Sequence, residues 1–89
     1  MRSIIYKYKL NQLGITEIEG HFAEILTAKY QGDDLYIWAQ VSSEVPLQLL
    51  KVYIMPTGII YERNEDIIYL NTIQKNSFVW HIFYEIERL

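Results

Sequence analysis

Apolar and polar residues alternate with a period of two along most of the chain, the rhythm of strands that set one face on a core and the other in water. Tyr6, Tyr8 and Leu10 alternate with Lys7 and Lys9, which predicts a first strand over residues 3–10. In residues 35–41, Leu35, Ile37, Ala39 and Val41 share one face and Tyr36, Trp38 and Gln40 the other. Large groups on both faces predict a central strand, or one covered on both sides. Residues 49–55 repeat the pattern, with Leu50, Val52 and Ile54 opposite Lys51, Tyr53 and Met55. Residues 67–73 are another β-rich run. The longest is 78–86, where Phe78, Trp80, Ile82, Tyr84 and Ile86 oppose Val79, His81, Phe83 and Glu85. Tyr, Ile, Val, Trp and Phe are the residues a pleated surface favours.

Turn residues separate these runs. Gln31-Gly32-Asp33-Asp34 reads as a hairpin tip, because Gly and Asp take positive φ at little cost. Ser42 to Pro46 reads as a loop, Pro56-Thr57-Gly58 as a strand end, Arg63-Asn64-Glu65-Asp66 as a charged connection and Lys75-Asn76-Ser77 as a second hairpin tip. Residues 16–30 support two readings. Thr16-Glu17-Ile18-Glu19 has capping-box spacing, and Ile15, Ile18, Phe22, Ile25 and Leu26 then fall at roughly helical intervals. Against a helix, Gly20 inside it would cost about 1 kcal/mol relative to Ala. The rival is a strand over 15–19, a turn at Gly20-His21 and a strand over 24–30. No internal repeat, low-complexity tract or linker is present.

Composition narrows the class. The 89 residues suit one domain over residues 1–89, and 51% apolar content argues against disorder. Eight Lys+Arg stand against eleven Asp+Glu, and a formal charge of −3 argues against coating a nucleic acid polymer, whose phosphates need neutralising. The absence of cysteine excludes disulfides, a thiol nucleophile and cysteine-ligated zinc. The amino terminus lacks the apolar core of a signal peptide, and no apolar run approaches the ~20 residues of a spanning helix. A mature, soluble, cytoplasmic protein without a membrane partner is expected.

Candidate chemistry is sparse. His21 and His81 are the two groups suited to proton transfer at neutral pH, and neither has a second ligand at zinc-like spacing. Glu62, Glu65 and Asp66 lack the arrangement of a calcium loop and read as a solvated connection. The glycines, at 14, 20, 32 and 58, form no phosphate loop, dinucleotide fingerprint or nucleophile elbow. No catalytic residue, metal or cofactor is expected. What stands out is eight Tyr, two Trp and three Phe in so short a chain. Phe78, Phe83 and Trp80 are expected in the core, and the surplus rings in a binding cleft or a homo-oligomer interface. The Thr57-Gly58 turn offers a hydroxyl and backbone N–H groups to an anion, with charge from Arg63 or Lys51; turn geometry alone also accounts for Pro-Thr-Gly.

The fragments Ile5-Tyr6-Lys7-Tyr8-Lys9-Leu10, Ala23-Glu24-Ile25-Leu26, Leu35-Tyr36-Ile37-Trp38-Ala39-Gln40-Val41, Ile54-Met55-Pro56-Thr57-Gly58, Tyr69-Leu70-Asn71-Thr72-Ile73-Gln74 and Phe78-Val79-Trp80-His81-Ile82-Phe83, in this order, resemble a family of small tailed-phage proteins of undetermined role. The Trp-Ala-x-Val and Phe-Val-Trp-His-x-Phe strands are the most specific. The chain departs from the family where Pro56 and Asn71 stand in place of glycine. The resemblance implies strands on both sides of Gly20, and a phage origin. Compact phage proteins without catalytic residues include inhibitors and sequestering sponges that counter bacterial immunity, some enclosing nucleotide signals between subunits.

The expectation is therefore a mainly β domain, a small antiparallel sandwich or partly open barrel of six to seven strands, forming a homo-oligomer. The first functional expectation is a counter-defence sponge that holds a small nucleotide-derived signal without turning it over. Trp38 or Tyr53 would stack on it, Thr57, Gly58 and Arg63 would contact its anion, and His81 would give a hydrogen bond. Such a ligand needs only a local positive site, so the net charge does not exclude it. The alternative is an inhibitor that blocks a host protein through a strand edge or aromatic patch. A metal-free phosphodiesterase using His21 or His81 is the third.

Overall fold

The computed structural model describes residues 1–89. Every alternating run becomes a strand: β1 Ile4–Lys9, β2 Gly14–Gly20, β3 Phe22–Gln31, β4 Asp34–Val41, β5 Gln48–Pro56, β6 Ile68–Lys75 and β7 Phe78–Arg88. They form two antiparallel sheets, sheet A in the order β1-β4-β3 and sheet B in the order β2-β5-β7-β6, packed as a small β-sandwich. Burial follows the alternation most cleanly in β4, where Leu35, Ile37, Ala39 and Val41 are buried and Tyr36, Trp38 and Gln40 half-buried. Leu35 and Ile37 from sheet A meet Leu50, Val52 and Ile82 from sheet B in the core. Truncating any of the larger of these to Ala removes about 2–5 kcal/mol. No helix long and apolar enough to cross a membrane is present.

Residues 16–30 are strand, and their two halves belong to different sheets: β2 pairs with β5, β3 with β4. Gly20 and His21 therefore make a corner between sheets and not a hairpin turn. A Cβ on Gly20 would sit 2.8 Å from the Phe22 ring, so glycine is what lets that ring fold back over the corner. The Ser42 N–H donates to the His21 carbonyl at 3.0 Å, and the Phe22 N–H to Gln48 Oε1 at 3.1 Å, which pins the turn.

The two seams of the sandwich differ. On one side a bulge between Tyr69 and Asn71 of β6 turns the Asn71 side chain toward β3. There its amide donates to the Ala28 carbonyl at 2.8 Å and accepts from the Ala28 N–H at 3.2 Å. A glycine at that position would leave both backbone groups unpaired. On the other side β1 and β2 are free edges, and Ile4, Ile5, Tyr6 and Ile15 are exposed there.

Two packing expectations are corrected. Phe78, expected in the core, is 60% exposed, because it begins β7 at the hairpin tip, past the last residues that sheet A covers. Tyr6, expected to pack with Tyr8 and Leu10, is 51% exposed, because β1 is an edge strand whose core contact lies at its carboxyl end.

Candidate functional site

Strand β5 ends at Pro56, and residues 57–67 then cross the outer face of sheet B before β6 begins. Gly58, at φ 86°, supplies the left-handed turn that starts the crossing, and Pro56 remains in the ladder opposite Trp80. Beneath the crossing lies Phe83. Its neighbour Ile82 points into the main core, so Phe83 points outward, yet it is only 6% exposed. The Tyr61 ring lies 5.6 Å from it, the Tyr69 ring 5.5 Å, and the Arg63 guanidinium 5.9 Å above its centre. Phe83 thus anchors a second, smaller apolar cluster outside the sandwich.

Beside it runs a chain of polar groups. Pairing of β6 with β7 sets Thr72 opposite His81. His81 Nδ1 hydrogen-bonds Thr72 Oγ1 at 3.0 Å, and Nε2 hydrogen-bonds Thr57 Oγ1 at 2.7 Å. Thr72 Oγ1 in turn meets the Tyr69 hydroxyl at 2.5 Å. In a neutral imidazole one nitrogen donates and the other accepts, and a hydroxyl can do either, so the chain is satisfied in both tautomers. The arrangement ties the start of the 57–67 segment to the sheet. The Thr57–His81 distance is that of a nucleophile and its base, but the third member is a hydroxyl, which cannot stabilise an imidazolium as a carboxylate would. Thr57, Gly58, His81, Tyr61 and Phe83 border an open hollow of about 240 Å³.

Of the residues singled out from sequence, Thr57, Gly58 and His81 meet in this hollow, and Arg63 caps the Phe83 ring next to it. Tyr53 lies on the same face, opposite Phe83 in the ladder. Its hydroxyl donates to Glu85, and burial, then that bond, push its pKa up to about 12. Trp38 is not brought to this face. It stands on the outer face of sheet A, 6.0 Å from Tyr36, with the core between. Lys51 does not supply charge to Thr57 either, since its ammonium is held 2.9 Å from Glu87, which raises its pKa. His21 Nδ1 bonds the Val45 carbonyl at 2.7 Å at the corner between sheets. No group of three or more His, Asp or Glu side chains is placed to hold a metal ion.

One feature was invisible in the linear pattern. At the end of the sandwich the Phe78 ring stacks on Trp80, centroids 5.9 Å apart and planes within 10°, beside a hollow of about 440 Å³. Across that hollow Lys75 Nζ sits 4.5 Å from the Tyr30 ring centre, 2.8 Å from the Gly32 carbonyl and 3.0 Å from Asp33. Its walls come from three connections far apart in sequence. The available signal was an aromatic placed directly after the Lys75-Asn76-Ser77 turn.

A family model described as a domain of unknown function (DUF7352) matches residues 1–88. No curated protein and no solved structure matches the chain.

Proposed function

We propose that this chain, which belongs to the DUF7352 family, is a non-catalytic binding protein that sequesters a small nucleotide-derived signal on the outer face of sheet B. The reading places it in phage counter-defence, in the cytoplasm of an infected bacterium, as a homo-oligomer. The carrying observation is the 57–67 segment. The backbone N–H groups of Gly58 and of Ile60 to Arg63 have no partner within the chain; Thr57, Gly58 and the Tyr61 ring border the hollow, and the Arg63 guanidinium lies over the Phe83 ring next to it. Free N–H groups and a guanidinium suit a phosphate, and a ring suits a base. Thr57, Thr72 and His81, the residues that hold the segment down, also fall in three separate fragments on which the resemblance to phage proteins rests. Exposed Ile60 beside this hollow offers apolar area to a second copy.

Melting shifts with a panel of mononucleotides and cyclic nucleotides test the reading. At least one is expected to stabilise the protein, with Arg63→Ala abolishing the effect and the ligand recovered chemically intact after denaturation. No stabilisation by any member at millimolar concentration would sink it. A second reading, an inhibitor of a host protein, is favoured by one observation: β1 leaves a free backbone edge flanked by exposed Ile4, Ile5 and Tyr6. A host protein co-eluting at near-equal amounts, with no nucleotide response, would favour that reading.

A further inference from the structure

We infer that the binding surface continues from the Thr57 hollow around the end of β5 to the Phe78–Trp80 pair, and that its ligand is a dinucleotide. The inference rests on the nucleotide reading above and deepens it. Three hollows share their walls. The first, about 240 Å³, is bordered by Pro56 and Thr57. These two also border a second, about 320 Å³, whose far wall is Phe78 and Trp80. Phe78 and Trp80 are in turn a wall of the third, about 440 Å³, which ends at Tyr30 and Lys75. Taken together they run from Tyr61 past Thr57 and Phe78 to Tyr30.

Its chemistry alternates along its length. Tyr61, 40% exposed and packed on Phe83, provides a ring at one end, Phe78 on Trp80 provides rings at the other, and the hydroxyl-bearing residues Thr57 and Ser77 lie between. Arg63 flanks the first end and Lys75 the second. Ring, polar middle and ring match base, phosphodiester and base. The 60% exposure of Phe78 is otherwise a cost, since a large apolar side chain at a hairpin tip is held in water. Its orientation is fixed by stacking on Trp80, so a base laid against its open face meets a platform that needs no ordering.

Titration calorimetry of the four ribonucleoside monophosphates and the 3′–5′ linked dinucleotides, linear and cyclic, tests this on the wild type, Phe78→Ala and Phe78→Leu. At least one dinucleotide is expected to bind about ten-fold or more tightly than its component mononucleotides. Both Phe78 variants should lose most of that gain while binding mononucleotides within about two-fold of wild type; the leucine variant keeps the apolar bulk and lacks the flat face. If mononucleotides bind and dinucleotides gain nothing, or if both Phe78 variants keep the gain, the extension is overturned and the Thr57 site stands. If no nucleotide binds at all, the underlying reading falls and the extension with it.

Discussion

The outer faces of the two sheets carry similar side chains and end up as different surfaces. On sheet A, Tyr36 and Trp38 lie side by side with Lys7 over the Tyr36 ring and Lys9 paired to Asp34, and no connection crosses them. On sheet B the 57–67 segment roofs Phe83, and the Thr57–His81–Thr72–Tyr69 chain fastens it. The first is a half-buried aromatic surface with one exposed ion pair, which contributes little. The second has a hollow, fixed donors and a cation. Aromatic residues mark both faces; the covering connection is what gives one of them a hollow.

The contrast can be broken in order of expected effect. Phe83→Ala should empty the cluster under the segment and cost about 3–5 kcal/mol in chemical denaturation, against a smaller loss for Trp38→Ala, which is only half-buried. Equal losses would mean that the two faces are packed alike. His81→Ala removes both bonds that hold Thr57 and Thr72, and should cost about 1–2 kcal/mol while speeding limited proteolysis within 57–67. Unchanged cleavage there would show that the segment is held without the histidine.

A smaller effect concerns pH. The Tyr53 phenol has a folded pKa of about 12 against an ordinary 10.0, so the fold favours its protonated form. Its contribution is complete below pH 10 and is lost as pH rises toward 12. Tyr53→Phe should flatten part of the alkaline fall in stability; burial raises Tyr8 and Tyr84 in the same direction, so some of it remains. An identical alkaline limb in wild type and variant would contradict the assignment. Smallest of all, Trp38→Ala should change nucleotide affinity by less than about two-fold, since Trp38 lies across the core from the hollow.

Much of this was legible in the chain. Period-two alternation located β1 and β4 to β7, because a half-buried pleat imposes it directly, and β4 shows it residue by residue; over 16–30 it left β2 and β3 open against a helix. The Gly20–His21 corner was not, since a local break in pattern does not say whether the next strand returns to the same sheet. Thr57, Gly58, Arg63 and His81 could be picked out as polar groups able to meet an anion. Thr72 could not, because only the β6–β7 register sets it against His81. Trp38 and Phe78 were misplaced for a shared reason: alternation tells which residues share a face, and tertiary packing decides which faces, and how much of each strand, are covered.

Amide hydrogen exchange with and without a bound nucleotide tests the central claim most directly, because the free N–H groups of the 57–67 segment are the observation that carries the function. Nucleotide is predicted to slow exchange at Gly58 and Ile60 to Arg63 while leaving β4 unchanged. Slowing confined to β4 and Trp38, with the 57–63 amides exchanging as in the free protein, would contradict it.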